Sequence, residues 1–148
     1  MGRALVVYVT RTGSTKSIAE LIAEGVRFSG NEAIVEDGTR IKKEEDLAGY
    51  DAYVFGSPTY HGEMMQGMKT LLFLAEKVGL RGKVGGSFGA YGWSGEAPGR
   101  IFETMRHVLE MDLTGGPLIL RSAFIQGGTQ MAQDYGREIG KKMSETKS

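Results

Sequence analysis

Short apolar runs rich in β-branched residues alternate along this chain with longer stretches of helical period, and no other feature limits the fold so tightly. A strand buried on both faces needs helices to cover it, and a helix with one apolar stripe needs a sheet to lie on. The alternation therefore specifies βαβ units around a parallel sheet, an α/β fold with helices on both faces. Five strands are expected, over Ala4 to Thr10, Ala33 to Glu36, Ala52 to Gly56, Lys83 to Phe88 and Leu118 to Ile125. The first, third and fifth are the most apolar, as covered strands should be.

Between the strands, Ile18, Leu21, Ile22 and Val26 recur at helical spacing, with Ser14 or Thr15 placed to cap the helix and Ser29-Gly30 to end it. Met64, Met68, Leu71 and Leu72 repeat the pattern, as do Ile101, Met105, Val108 and Leu109, and finally Ala132, Tyr135, Ile139 and Met143. Methionines on such faces are core filler. The charged stretch from Arg40 to Asp51 reads as a short exposed helix or a loop.

A chain of 148 residues suits a single domain over residues 1–148. Eighteen basic residues balance eighteen acidic ones, which leaves no electrostatic footprint for nucleic acid or an anionic membrane. No apolar run approaches a membrane span and the N-terminus does not read as a signal peptide, so a cytoplasmic location is expected. Cysteine is absent, which removes disulfides, thiolate metal sites and thiol redox chemistry together. With only two histidines as well, no dedicated metal site is expected, and redox work would need a bound cofactor.

Glycine is the outlier, at 23 residues where a share of roughly 7% is usual. Many glycines sit where strands end, in three turn-rich segments. The first is Thr10, Arg11, Thr12, Gly13, Ser14, Thr15 and Lys16, a hydroxyl-rich turn between strand and helix. Backbone N–H groups and hydroxyls at the positive end of a helix dipole make a phosphate cup, although the same residues would also serve as a plain helix cap. The spacing fits neither a Walker loop nor a dinucleotide fingerprint. Arg11 either pairs with a phosphate or points into solvent, and solvent is the plainer reading.

The second segment is Ser57, Pro58, Thr59, Tyr60, His61 and Gly62, at the end of a central strand, where doubly wound sheets open a crevice. Thr59 offers a hydroxyl and Tyr60 a ring face, and Tyr60 is either a ligand contact or a packed loop aromatic. His61 has no carboxylate, serine or metal partner at an evident spacing and reads as an exposed polar residue rather than a catalyst. The third segment runs through Gly89, Ala90, Tyr91, Gly92, Trp93, Ser94 and Gly95. Trp93, the sole tryptophan, sits among glycines outside any periodic apolar stretch, which favours ligand stacking over core packing.

Taken in order, these motifs resemble a short flavodoxin-type domain over nearly the whole chain. The resemblance implies a five-stranded doubly wound sheet of order 2-1-3-4-5 and an FMN cofactor. Its phosphate would lie on Thr10, Arg11, Thr12, Gly13, Ser14 and Thr15, and its isoalloxazine between Ser57 to Gly62 and Ala90, Tyr91, Gly92 and Trp93. The stretch from Gly89 to Ala97 is most similar to the flavodoxin domains of flavodiiron proteins, whereas Gly56 to Met64 also resembles quinone reductases of the WrbA type.

The implied activity is electron transfer between redox partner proteins, mainly one electron at a time through the semiquinone/hydroquinone couple, with no catalytic residue. An FMN-dependent NAD(P)H:quinone oxidoreductase is the alternative, and a flavin-free receiver-type signalling module a more distant one. The resemblance also implies a backbone carbonyl beside Gly62, in the Tyr60-His61 or His61-Gly62 peptide, that turns to accept a hydrogen bond from the N5–H of the neutral semiquinone. Tyr60 and Trp93, with few cations nearby, are expected to hold the potential low. The neutral net charge departs from the acidic balance of many flavodoxins.

Overall fold

The computed structural model describes residues 1–11, 13–91 and 95–147. Strand β1 (Arg3–Tyr8) is followed by helix α1 (Ser14–Phe28), β2 (Glu32–Asp37), the short α2 (Glu44–Leu47) and β3 (Ala52–Gly56). A hairpin of β4 (Thr59–Tyr60) and β5 (Glu63–Met64) leads into α3 (Gln66–Val78), β6 (Val84–Ala90) and α4 (Glu96–His107). Two short strands, β7 (Asp112–Leu113) and β8 (Leu118–Leu120), precede α5 (Gly128–Lys147).

The main sheet is parallel, in the order β2-β1-β3-β6, with β7 and β8 both on the far edge of β6. This is the expected order 2-1-3-4-5, with its fifth strand in two pieces. Residues 114–117 cause the break: Gly115 takes φ 57° and Pro117 has no N–H to give to a ladder. The phenol of Tyr135 on α5 fills the gap, accepting from the Ser87 N–H at 3.0 Å and donating to the Gly116 carbonyl at 2.8 Å. Burial pushes its pKa up to about 12, since the charged form would lose its hydration there.

The fifth strand also ends earlier than its apolar pattern suggested, at Leu120 rather than Ile125. Ser122 Oγ accepts the Phe124 N–H at 3.0 Å, a side-chain turn that draws the backbone out of the ladder. Apolarity misled for the edge position as well. Ile119 on β8 is exposed, whereas β6, with its glycines and serine, is buried along its whole length. Small residues let neighbours close in: a β-carbon at Gly86 would meet the Tyr135 hydroxyl at 2.6 Å, and one at Gly85 the Met111 methyl at 2.7 Å.

The period of two in β1 divides the core. Ala4, Val6 and Tyr8 pack with Ile18, Ile22 and Val26 of α1 and Ile139 and Met143 of α5, while Leu5, Val7 and Val9 face Met68, Leu71, Ile101 and Met105 of α3 and α4. Each fully buried aliphatic side chain contributes about 1.5–3 kcal/mol. On the first face α1 and α5 meet backbone to backbone, because β-carbons at Gly25 and Gly136 would overlap the carbonyl oxygens of Gln133 and Ile22. No helix among the described residues is long and apolar enough to cross a membrane.

Candidate functional site

The chain turns back on itself between β1 and β3, where β2 lies to one side and β3 to the other, and all three singled-out segments emerge at the carboxyl edge around that point. Backbone bonds hold the segments against one another. The Val9 N–H donates to the Gly56 carbonyl at 2.9 Å, joining the start of the first segment to the end of β3. The Ser57 N–H donates to the Phe88 carbonyl at 3.2 Å, and Gly89 lies so close that a β-carbon there would overlap the Ser57 carbonyl oxygen. The Tyr91 N–H continues the ladder to the Leu120 carbonyl at 3.0 Å.

In the first segment the helix cap is Gly13, at φ 94° and ψ −13°, and it brings no side-chain cap. Ser14 and Thr15, expected as caps, lie inside the first turn, and Thr15 is buried. Thr10 Oγ1 accepts the Gly13 N–H at 2.8 Å and curls the loop over the helix start. The first turn of α1 carries no acidic side chain to offset its positive end. Arg11 is exposed, yet its guanidinium is not simply solvated: it lies over the Tyr60 ring, 4.5 Å from the centroid.

The second segment is better organised than its composition indicates. Thr59 and Tyr60 pair with Met64 and Glu63, which leaves His61 and Gly62 as a two-residue turn at φ 52° and 74°. Positive φ at both central positions gives the hairpin the twist its strands need, and glycine adopts it without strain. The buried Ser57 hydroxyl accepts the Met65 N–H at 3.0 Å and donates to the Pro58 carbonyl at 2.9 Å, so it braces the hairpin base. Thr59 Oγ1 accepts the Ala97 N–H at 2.9 Å, capping α4 across the site, where Gly95 has no side chain to do so.

Tyr60 remains 45% exposed with the His61 ring edge-on at 4.3 Å, and Tyr91 on the third segment is 37% exposed. Ala90 of the same segment is buried. The two tyrosines thus stand exposed on one sheet edge, whereas the other exposed aromatics, Phe28, Phe73 and Phe124, lie outside the three segments. Thr12, Gly92 and Trp93 lie outside the described residues.

The site also contains residues that the motifs did not indicate. Arg100 of α4 donates from Nε to the Gly62 carbonyl at 3.1 Å and approaches Glu63 at 3.6 Å, pinning the tip of the hairpin. The expectation of few nearby cations is therefore overturned: Arg11 and Arg100 both reach the second segment. Nothing local marks Arg100, which stands 38 residues from Gly62 and meets it only through the packing of α4.

The arrangement suits a flat ring with a phosphate tail. A helix start without a side-chain cap and with a left-handed glycine can offer backbone donors to an anion, and two tyrosines at the same edge keep ring surface open to solvent. Among the described residues, no group of three or more histidine, cysteine, aspartate or glutamate side chains is arranged to hold a metal ion.

A doubly wound α/β protein with its loops gathered at the switch point is a class with many functions, and sequence comparison narrows it. The family model described as a flavodoxin domain matches residues 5–77. A flavodoxin from the domain Archaea superposes with a TM-score of 0.89 at 30% identity, over 96% of this chain and 99% of that one. The chain belongs to the flavodoxin family, whose members bind FMN and transfer electrons to partner proteins. It is 32% identical over 113 residues to the type A flavoprotein of Rhodobacter capsulatus, covering 74% of this chain and 26% of that protein. It is 28% identical over 122 residues to the NAD(P)H dehydrogenase (quinone) of Archaeoglobus fulgidus, over 66% of this chain and 64% of that one. The chain thus spans about a quarter of the first relative and under two thirds of the second.

Proposed function

We propose that residues 1–148 form one FMN-binding domain, cytoplasmic in setting, that carries electrons, mainly one at a time, between redox partner proteins. The observation that carries this reading is the meeting of three separate segments at one edge, with an uncapped helix start at one end and exposed Tyr60 and Tyr91 at the other. Thr10 to Thr15 would hold the phosphate, while Ser57 to Gly62 and Ala90 to Trp93 would flank the ring. When bound, FMN supplies the reversible redox chemistry, in a chain without cysteine thiols to do so.

The chain's own residues do the rest. The first turn of α1 orients the anion through its N–H groups, and the tyrosines keep water from the ring faces. Ser57, Thr59 and Arg100 hold the hairpin in place before any ligand arrives, which lowers the ordering cost of binding. Absorption spectra of the purified protein with FMN during stepwise reduction test the reading. A bound flavin spectrum and two separated one-electron steps are expected; a protein that stays colourless in excess FMN rejects it.

A second reading, an FMN-dependent quinone reductase, draws support from the relative named NAD(P)H dehydrogenase (quinone) and from the exposure of Tyr60 and Tyr91 at the edge. Rapid steady-state turnover with NADH or NADPH and a quinone favours that reading, and slow turnover favours the carrier. The type A flavoprotein is a much longer chain than this one, so a carrier segment acting on attached or separate partners falls within the same proposal.

A further inference from the structure

The contact between Arg11 and Tyr60 joins the segment proposed for the phosphate to the one proposed for the ring, and it is the only cation–π contact described at this edge. We infer that Arg11, held in place by the Tyr60 ring, is a positioning residue that raises the reduction potential of the cofactor. The inference rests on the FMN reading above.

A guanidinium on a short loop loses conformational entropy when it is fixed, so it stays near the site only if something holds it. The Tyr60 ring does so at 4.5 Å, within the range where a cation is attracted to the face of an aromatic ring. His61 stands edge-on to the same ring, so Tyr60 is steadied by two neighbours rather than free to turn. Among the described residues no carboxylate forms an ion pair with Arg11. Glu63 differs in this respect, since Lys69 and Arg100 both approach it, at 3.9 and 3.6 Å.

Each electron taken from a donor adds a unit of negative charge to whatever the site holds, unless a proton follows it. A fixed cation at the rim stabilises the more negative state and makes reduction easier. The effect is electrostatic and partly exposed, so salt should weaken it. Arg100 donates from Nε to the Gly62 carbonyl and is engaged there, which leaves Arg11 as the cation whose position depends on Tyr60.

The test is a double-substitution cycle on the FMN-loaded protein, read as midpoint potentials. Arg11→Gln is expected to lower the reduced-to-oxidised ratio at a fixed applied potential by three- to tenfold, tenfold being about 59 mV for one electron. In a Tyr60→Leu background, which also loses the ring's own effect on the potential, Arg11→Gln should cause little further fall, whereas in a Tyr60→Phe background it should cause nearly the full one. Raising the salt concentration should shrink the gap between the wild type and Arg11→Gln.

Unchanged potentials in Arg11→Gln, or fully additive shifts in the double variant, overturn the inference while leaving FMN binding intact. So does a loss of affinity for FMN but not for riboflavin in Arg11→Gln at an unaltered potential, since the arginine would then be serving the phosphate alone. Failure of the wild type to bind FMN removes both this inference and the functional reading beneath it.

Discussion

The α1–α5 contact and the carboxyl edge both depend on glycine, for opposite reasons. At the contact, a β-carbon on Gly136 would overlap the Ile22 carbonyl and one on Gly25 the Gln133 carbonyl, so hydrogen is the only side chain that lets the helices meet. At the edge, Gly13 has nothing within 4 Å of a built β-carbon, and what it supplies is φ 94°. One region is filled to the limit and has no room to change. The other is open, shaped by backbone conformation, and leaves its tyrosines in solvent. Stability is concentrated in the first region and ligand access in the second, the usual division between a packed scaffold and the loops it presents.

Substitutions should separate the two regions, and the largest effect belongs to the contact. Gly136→Ala forces two backbones apart and should cost about 3 kcal/mol or more. An unchanged urea midpoint would mean that the helices are not locked at this point. Tyr135→Phe comes next: it deprives the Ser87 N–H and the Gly116 carbonyl of their partner and should cost about 2 kcal/mol in the same measurement.

Tyr135 also gives the scaffold a pH signature. Its folded pKa is raised to about 12 from an ordinary 10.0, so the unfolded chain loses this proton first as pH rises. The stabilisation is therefore complete below about pH 10 and lost as pH climbs through about 12. Tyr135→Phe should flatten that decline, though not abolish it, because burial also raises Tyr8 and Tyr53. Denaturation midpoints across the alkaline range check the sign.

At the edge, the expected balance is reversed. Gly13→Ala strains a left-handed residue and should cost only about 1 kcal/mol of stability while weakening FMN by about tenfold, measured by flavin fluorescence. A large loss of stability with intact FMN binding would erase the distinction between the regions. The smallest effect should come from His61→Gly, which relieves φ 52° in the hairpin turn and should raise stability by about 0.5 kcal/mol.

The layout of the molecule was legible because periodicity reports burial. The alternation of Ala4, Val6 and Tyr8 with Leu5, Val7 and Val9 announced a strand covered on both faces, and the spacing of Ile18, Ile22 and Val26 announced its cover. The same logic failed at the last strand. Pro117 and the Ser122 side-chain turn are interruptions that a run of apolar residues cannot reveal, and an edge position lets Ile119 face water. Gly85 and Gly86 leave β6 with few large side chains of its own, and Met105 of α4, Met111, Leu113 of β7 and Tyr135 of α5 fill the space above them.

The amino-acid order alone determined which segments end strands and open helices, and hence that hydroxyls, glycines and aromatics would share one edge of the sheet. Those properties are local, carried by turn chemistry and by period. Only the tertiary structure decided how they are held: Thr59 spent on α4, Arg100 on Gly62 and Arg11 on Tyr60. Such contacts span tens of residues, and their partners are chosen by the packing of helices on the sheet, which leaves no mark at the residues themselves.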